Sequence, residues 1–208
     1  MNSGKSTLAL QTAHNHKSRG RTGIIFTNSD RGGPGVVSSR LGLQSEAIEV
    51  HPLMDLHRFV ADQLSNGVRI DFIICDEAQF FEAKQIEELT QIVDGLGIDV
   101  YAFGILTDFR THLFPGSTRL VELADRVLPL QVEALCWCGE RGTHNARIKN
   151  GAMTTEGDQI ALGDVSDSFD DNTDITYEVL CRRHHLRKVI SRNSHAALPQ
   201  ALPFTTNN

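Results

Sequence analysis

Met1-Asn2-Ser3-Gly4-Lys5-Ser6-Thr7 opens the chain, and Ile73-Ile74-Cys75-Asp76-Glu77 follows far downstream. Read together, the two segments decide the fold. The pattern G-x-x-x-x-G-K-[ST] describes a phosphate-binding loop, and Gly4, Lys5 and Ser6 fill its last three specified places. Successive amides at a helix N-terminus point at a bound phosphate, a lysine reaches the outer phosphates, and a hydroxyl ligates Mg²⁺. A bare Gly-Lys-Ser also arises by chance. The second segment changes that balance, because an open parallel sheet carries its ligand-facing carboxylates at the C-terminal ends of buried strands. Asp76 is suited to hold Mg²⁺ through water, and Glu77 beside it to accept a proton from an attacking hydroxyl or water. Acidic residues also end strands for purely structural reasons. The two segments in this order nevertheless point to phosphate-loop nucleotide binding, with Gly4, Lys5, Ser6, Thr7 and Asp76 as the nucleotide and metal contacts.

Outward from the loop, the first half alternates apolar runs with amphipathic stretches, the pattern of an α/β parallel sheet flanked by helices. Ser6 to about Arg19 reads as the helix after the loop, with Leu8, Ala9, Leu10 and Ala13 on its apolar face. Gly23–Thr27, Ile70–Asp76 and Asp99–Ile105 read as strands, and a fourth is expected around Arg126–Leu130. Helices are expected over Met54–Leu64 and Glu82–Asp94, and Asn28 to about Ser45 reads as a long irregular connection suited to ligand contacts. The loop pattern also calls for a strand and a first glycine upstream of Met1. Counting that strand, the sheet would have at least five, and the chain without it is expected to be insoluble or inactive.

The texture changes after Gln131. Cys136-Trp137-Cys138-Gly139 opens a turn-rich stretch that closes with Cys181-Arg182-Arg183-His184. The expected organisation is a core over residues 1–130, a small metal-pinned lobe over 131–191, and a disordered tail over 192–208. Cys136, Cys138, Cys181 and His184 supply three thiolates and an imidazole, a tetrahedral zinc shell, with His185 competing for the fourth place. Aromatics gather after two strand ends, at Phe80 and Phe81 and again at Phe109 and Phe114, where they can stack on a planar base or simply fill the core.

The chain has 208 residues, 40% of them hydrophobic, and a formal charge of −6 with its basic residues scattered. That distribution argues against a duplex nucleic acid as partner. No apolar run approaches a membrane span and no secretory pattern opens the sequence, so a cytoplasmic protein without membrane contact is expected.

The constellation resembles the type II thymidine kinases, a phosphate-loop α/β family with a zinc-bearing lasso domain. The matching segments are Met1–Thr7, Asp30-Arg31, Val37–Arg40, Asp76–Phe81, Thr107–Arg110, Phe114–Ser117, Cys136–Gly139 and Tyr177–His184. The resemblance implies ATP-dependent phosphorylation of the 5′-hydroxyl of thymidine or deoxyuridine, with Mg²⁺, a structural Zn²⁺ and a homotetramer. It implies that Glu77 is the catalytic base and that Arg31 offsets charge near the phosphates. It sets Phe80, Ile105, Phe109, Phe114 and Tyr177 around the nucleoside. Three departures stand out: the first loop residues and the central strand expected before Met1 are missing, CxC replaces the CxxC of many members, and the acidic stretch Asp164–Asp174 looks longer than the usual lasso. Two other readings stay open, an impaired fragment and a motor-type or regulatory ATPase with a zinc module for nucleic acid.

Overall fold

A computed structural model of the chain describes residues 4–28, 35–39, 42–159 and 175–196. In order along the chain come α1 (Lys5–Lys17), β1 (Gly23–Thr27), β2 (Val36–Ser38), β3 (Gln44–Glu46), β4 (Ile48–Glu49), α2 (Leu56–Ser65), β5 (Phe72–Cys75), a 3₁₀ turn (Ala78–Phe80), α3 (Ala83–Leu96), β6 (Asp99–Ala102) and α4 (Pro115–Leu123). The second lobe holds β7 (His144–Lys149), β8 (Ala152–Thr154), β9 (Ile175–Leu180), α5 (Arg182–Leu186) and a closing 3₁₀ segment (Ser191–Ala196).

The core sheet is parallel, in the order β4-β1-β5-β6. All four residues of β5 are buried, because helices cover both faces of the sheet. Side chains alternate across a strand, so Ile73 and Cys75 join a cluster with Val60, Ile86 and Leu89 of α2 and α3. Phe72 and Ile74 point the other way, onto Ala9, Leu10 and Ala13 of α1. The helices start where local chemistry says they should. The Asp55 side chain accepts the Arg58 amide, the buried Glu88 carboxylate accepts the Leu56 amide at 2.8 Å, and Glu82 with Gln85 forms a capping box.

Three expectations need correction. Residues 126–130 form no strand: Val127 and Leu128 are 55% and 80% exposed. Their apolar residues are adjacent rather than alternating, and Pro129 has no amide to offer a ladder. The described sheet's fourth strand is instead the two-residue β4, paired with Phe26 and Thr27. The 28–45 connection contains the antiparallel pair β2–β3. A helix not foreseen, α4, begins at Pro115, a residue preorganised for the first helical position. Gly116 lets that helix close onto the 3₁₀ turn, since a Cβ there would meet the Phe81 carbonyl oxygen at 2.5 Å and those of Ala78 and Gln79 at 2.8 Å.

The lobe is a three-stranded antiparallel sheet, β8-β7-β9. Its own core is small: Cys136, Ala146, Leu180, Cys181 and Ile190, with Trp137 against it. It grips the turn after β6 through the Asn145 amide, which donates to the Thr107 carbonyl at 3.1 Å.

Candidate functional site

The sheet and α1 bring the two opening segments together. Gly4 takes a left-handed conformation, φ 76°, and caps α1 without a side-chain hydrogen bond. The first turn of α1 carries no acidic residue, so its amides and the positive end of its dipole are open to an anion. Lys5 Nζ lies 3.5 Å from Glu77 Oε1, both side chains being mostly buried. Glu77 itself has φ 50°, unusual for a residue with a long side chain, and such strain tends to persist where the surroundings over-determine it. Those surroundings include Gln79, a buried amide that donates to Glu77 Oε2 at 2.5 Å and accepts from the Ile105 amide at 3.1 Å.

Asp76 is fully buried, and among the described residues neither carboxylate oxygen has a hydrogen-bond partner. The Ser6 hydroxyl and the Lys5 ammonium favour its ionised form from nearby without completing a hydrogen bond. Burial, and then the Glu77 charge, outweigh them and push the carboxyl up to about 6. An orphaned buried carboxylate between a loop hydroxyl and the end of a parallel strand fits a hydrated Mg²⁺. Without the cation the same group costs stability. Its folded form keeps a proton that the unfolded chain has released, so stability falls as pH rises from the ordinary carboxylate range through about 6. Asp76→Asn should therefore stabilise the metal-free protein at neutral pH by on the order of 3 kcal/mol, and hardly at about pH 4. Urea denaturation of both proteins at the two pH values checks this; equal stability at neutral pH contradicts it.

The aromatic positions form two groups. Phe80 and Phe114 meet edge to face with centroids 5.5 Å apart, and the Ile105 carbonyl accepts the hydroxyl of Ser117, three residues beyond Phe114, at 2.7 Å. Phe109 and Tyr177 meet across Arg147, whose guanidinium lies 3.7 Å from the Phe109 centroid and 5.5 Å from that of Tyr177. Arg31 lies outside the described residues, as does the acidic stretch 164–174.

In the lobe, the ligand atoms of Cys136, Cys138, Cys181 and His184 all lie within 4.8 Å of one another. His184 Nδ1 is 3.4 Å from Cys136 Sγ and 3.3 Å from Cys181 Sγ, and Cys138 Sγ is 4.0 Å from Cys181 Sγ. Zinc bonds of about 2.3 Å to sulfur and 2.0 Å to nitrogen put tetrahedral ligand atoms roughly 3.5–3.8 Å apart, so the quartet fits zinc. Burial first, then the Arg183 and Arg187 charges, lowers the His184 pKa and favours the neutral imidazole that a metal needs. The competition for the fourth place is resolved by direction: His185 turns away, its Nε2 3.1 Å from the Phe109 carbonyl oxygen.

Gln79, Asp108, Arg147 and the Phe109-facing role of His185 escaped the sequence reading. Asp108, buried, accepts the amides of Arg110 at 2.8 Å and His112 at 2.9 Å and so shapes the turn that presents Phe109. A lone amide inside the apolar run Ala78-Gln79-Phe80-Phe81 was the available signal for Gln79.

A sequence model of the family described as thymidine kinase matches residues 1–185. A thymidine kinase of Streptomyces coelicolor is 58% identical over 207 residues, covering 99% of this chain and 94% of the relative. One of Streptomyces avermitilis is 55% identical over 208 residues, covering 99% and 95%. One of Cutibacterium acnes is 53% identical over 205 residues, covering 98% and 93%.

Proposed function

Because the chain belongs to the thymidine kinase family and is an enzyme of that family, we propose that it transfers the terminal phosphoryl group of ATP to the 5′-hydroxyl of thymidine, and of deoxyuridine, in the salvage of DNA precursors. The observation that carries this reading is the meeting of Lys5 with Glu77 beside the buried, unpartnered Asp76.

In this reading Gly4 and Thr7 help form the cradle at the start of α1, and Lys5 holds the donor phosphates. Ser6 and Asp76 hold Mg²⁺, which when bound neutralises charge on the phosphate oxygens. Glu77 is the base. Gln79 occupies its Oε2 and Lys5 its Oε1, so Oε1 becomes free to take the 5′-hydroxyl proton once Lys5 turns to the phosphates. Phe80, Ile105, Phe114, Phe109 and Tyr177 enclose the nucleoside, and Arg31 offsets charge on the transferring group. The zinc quartet fixes the lobe that carries Tyr177.

The proposal extends to the organisation: a kinase core over 1–130, a zinc and lasso lobe over 131–191, and a tail over 192–208 whose first residues belong to the closing 3₁₀ segment. Exposed Val121, Val127, Leu128, Val132 and Leu135 support assembly into a homotetramer. Among the described residues no helix is long and apolar enough to cross a membrane, and the four free cysteines suit a reducing cytoplasm.

The test is direct. Purified protein with Mg-ATP should convert thymidine to its 5′-monophosphate, and deoxyuridine likewise, with ATP turnover indifferent to added polynucleotide. Polynucleotide-stimulated ATP hydrolysis without nucleoside phosphorylation would instead indicate a motor-type ATPase.

A further inference from the structure

Arg147 sits in β7 with only 2% of its surface exposed. Among the described residues no carboxylate pairs with it. Its Nε donates to the Tyr177 hydroxyl at 2.8 Å, its Nη1 to the Asp158 carbonyl at 2.6 Å and its Nη2 to the Gln159 carbonyl at 3.1 Å. The flat face of the guanidinium lies 3.7 Å from the centre of the Phe109 ring. Burying a cation is costly, and among the described residues carbonyl dipoles, one hydroxyl and two aromatic faces offset the cost. The lobe's buried apolar core is Cys136, Ala146, Leu180, Cys181 and Ile190, and apolar packing does not by itself call for a charge in β7.

Its contacts explain it better. They join three places far apart in sequence: the Phe109 turn of the kinase core, residues 158–159, and Tyr177 on β9. A second link runs in parallel, since the Gln159 amide donates to Asp108 at 3.1 Å and Asp108 shapes the same turn. A planar fork with five donors can satisfy three acceptors and still lie flat on a ring; an ammonium cannot lie flat.

We infer that Arg147 is a positioning residue for the nucleoside: it fixes the Phe109 ring and the Tyr177 hydroxyl relative to each other, and so sets affinity for the nucleoside rather than for ATP or the rate of phosphoryl transfer. The inference rests on the proposed placing of Phe109 and Tyr177 at the nucleoside.

The experiment compares Arg147→Lys, Tyr177→Phe, their double variant and Phe109→Ala in the zinc-loaded full chain. It measures KM for thymidine, KM for ATP, kcat, zinc content and Tm. Arg147→Lys should raise the thymidine KM roughly ten- to hundred-fold, the equivalent of one or two lost polar contacts. The ATP KM and kcat should stay within about threefold, with zinc content intact. Tyr177→Phe should raise the thymidine KM less, and the double variant should add little to Arg147→Lys, because the two share one hydrogen bond. An unchanged thymidine KM, a fall in kcat with KM constant, or loss of zinc from a folded Arg147→Lys overturns the inference. If Arg147→Lys does not fold, an unchanged thymidine KM in Tyr177→Phe overturns it independently. Phe109→Ala separates the two levels. If it leaves the thymidine KM unchanged, the placing of the pocket fails; if it raises that KM while Arg147→Lys does not, only the role of Arg147 fails.

Discussion

Replacing Glu77 by Gln is expected to leave ATP binding near normal and to slow thymidine phosphorylation by roughly 10²–10⁴-fold, the usual contribution of a positioned general base. The substitution is nearly isosteric, and the new amide oxygen can still accept the hydrogen bond from Gln79 that holds this side chain in place. The left-handed backbone at position 77 demands the same of Gln as of Glu, so the 3₁₀ turn behind it has no new reason to move. What disappears is the proton acceptor and the ion pair with Lys5. Losing that ion pair frees Lys5 for the phosphates, which favours nucleotide binding if it changes it at all. A selective fall in kcat, with the dissociation constant for ATP within a few-fold, therefore separates a base from a residue that only organises the phosphate site. Turnover within about threefold of the parent enzyme would remove Glu77 from the proton transfer.

The sequence exposed this part of the site because its signals are local. An apolar run ending in Asp76-Glu77 is legible as a strand end without knowledge of any partner, and Gly4-Lys5-Ser6 as a helix entry. β1, β5 and β6 were legible for the same reason: each is a short run of apolar residues, largely buried in β1 and β5 and partly buried at Val100 and Tyr101 of β6. What remained hidden depends on partners far away in the chain. β4 has only two residues and exists because β1 offers it a ladder, while the more apolar 126–130 segment has none. No helix was expected at Pro115, yet Pro115 starts α4 and Gly116 admits it against the carbonyls of Ala78, Gln79 and Phe81, far back in the chain. Arg147 shows no sequence signal, since its partners are two carbonyls, a hydroxyl and a ring on separate elements. The zinc quartet lies between these extremes. Its residue types were legible, but the choice between His184 and His185 needed the direction of α5.

That direction leads to the other large effect. Removing zinc by chelation, or one ligand by Cys181→Ser, should abolish thymidine phosphorylation while leaving ATP binding in place. Structural zinc sites contribute apparent binding energies of roughly 10–16 kcal/mol, comparable to the whole stability of a domain at about 5–15 kcal/mol. The lobe has little else, because two of the five residues of its buried core, Cys136 and Cys181, are themselves candidate ligands. Four contacts run from this lobe to the turn carrying Phe109: Asn145 to the Thr107 carbonyl, Gln159 to the Asp108 carboxylate, His185 to the Phe109 carbonyl, and Arg147 over the Phe109 ring. When the lobe loosens, that turn loses its outer support, whereas Lys5, Ser6 and Asp76 stay anchored on α1 and the core sheet. The chain's one tryptophan reports on the event, since Trp137 stacks on His184 with centroids 4.2 Å apart and donates to the Val189 carbonyl at 3.2 Å. Chelation should shift its emission to the red, in step with zinc release and loss of thymidine turnover, before any loss of ATP binding. If ATP binding disappeared with the tryptophan signal, the two lobes would unfold as one unit, and zinc would stabilise the whole enzyme rather than the nucleoside side alone.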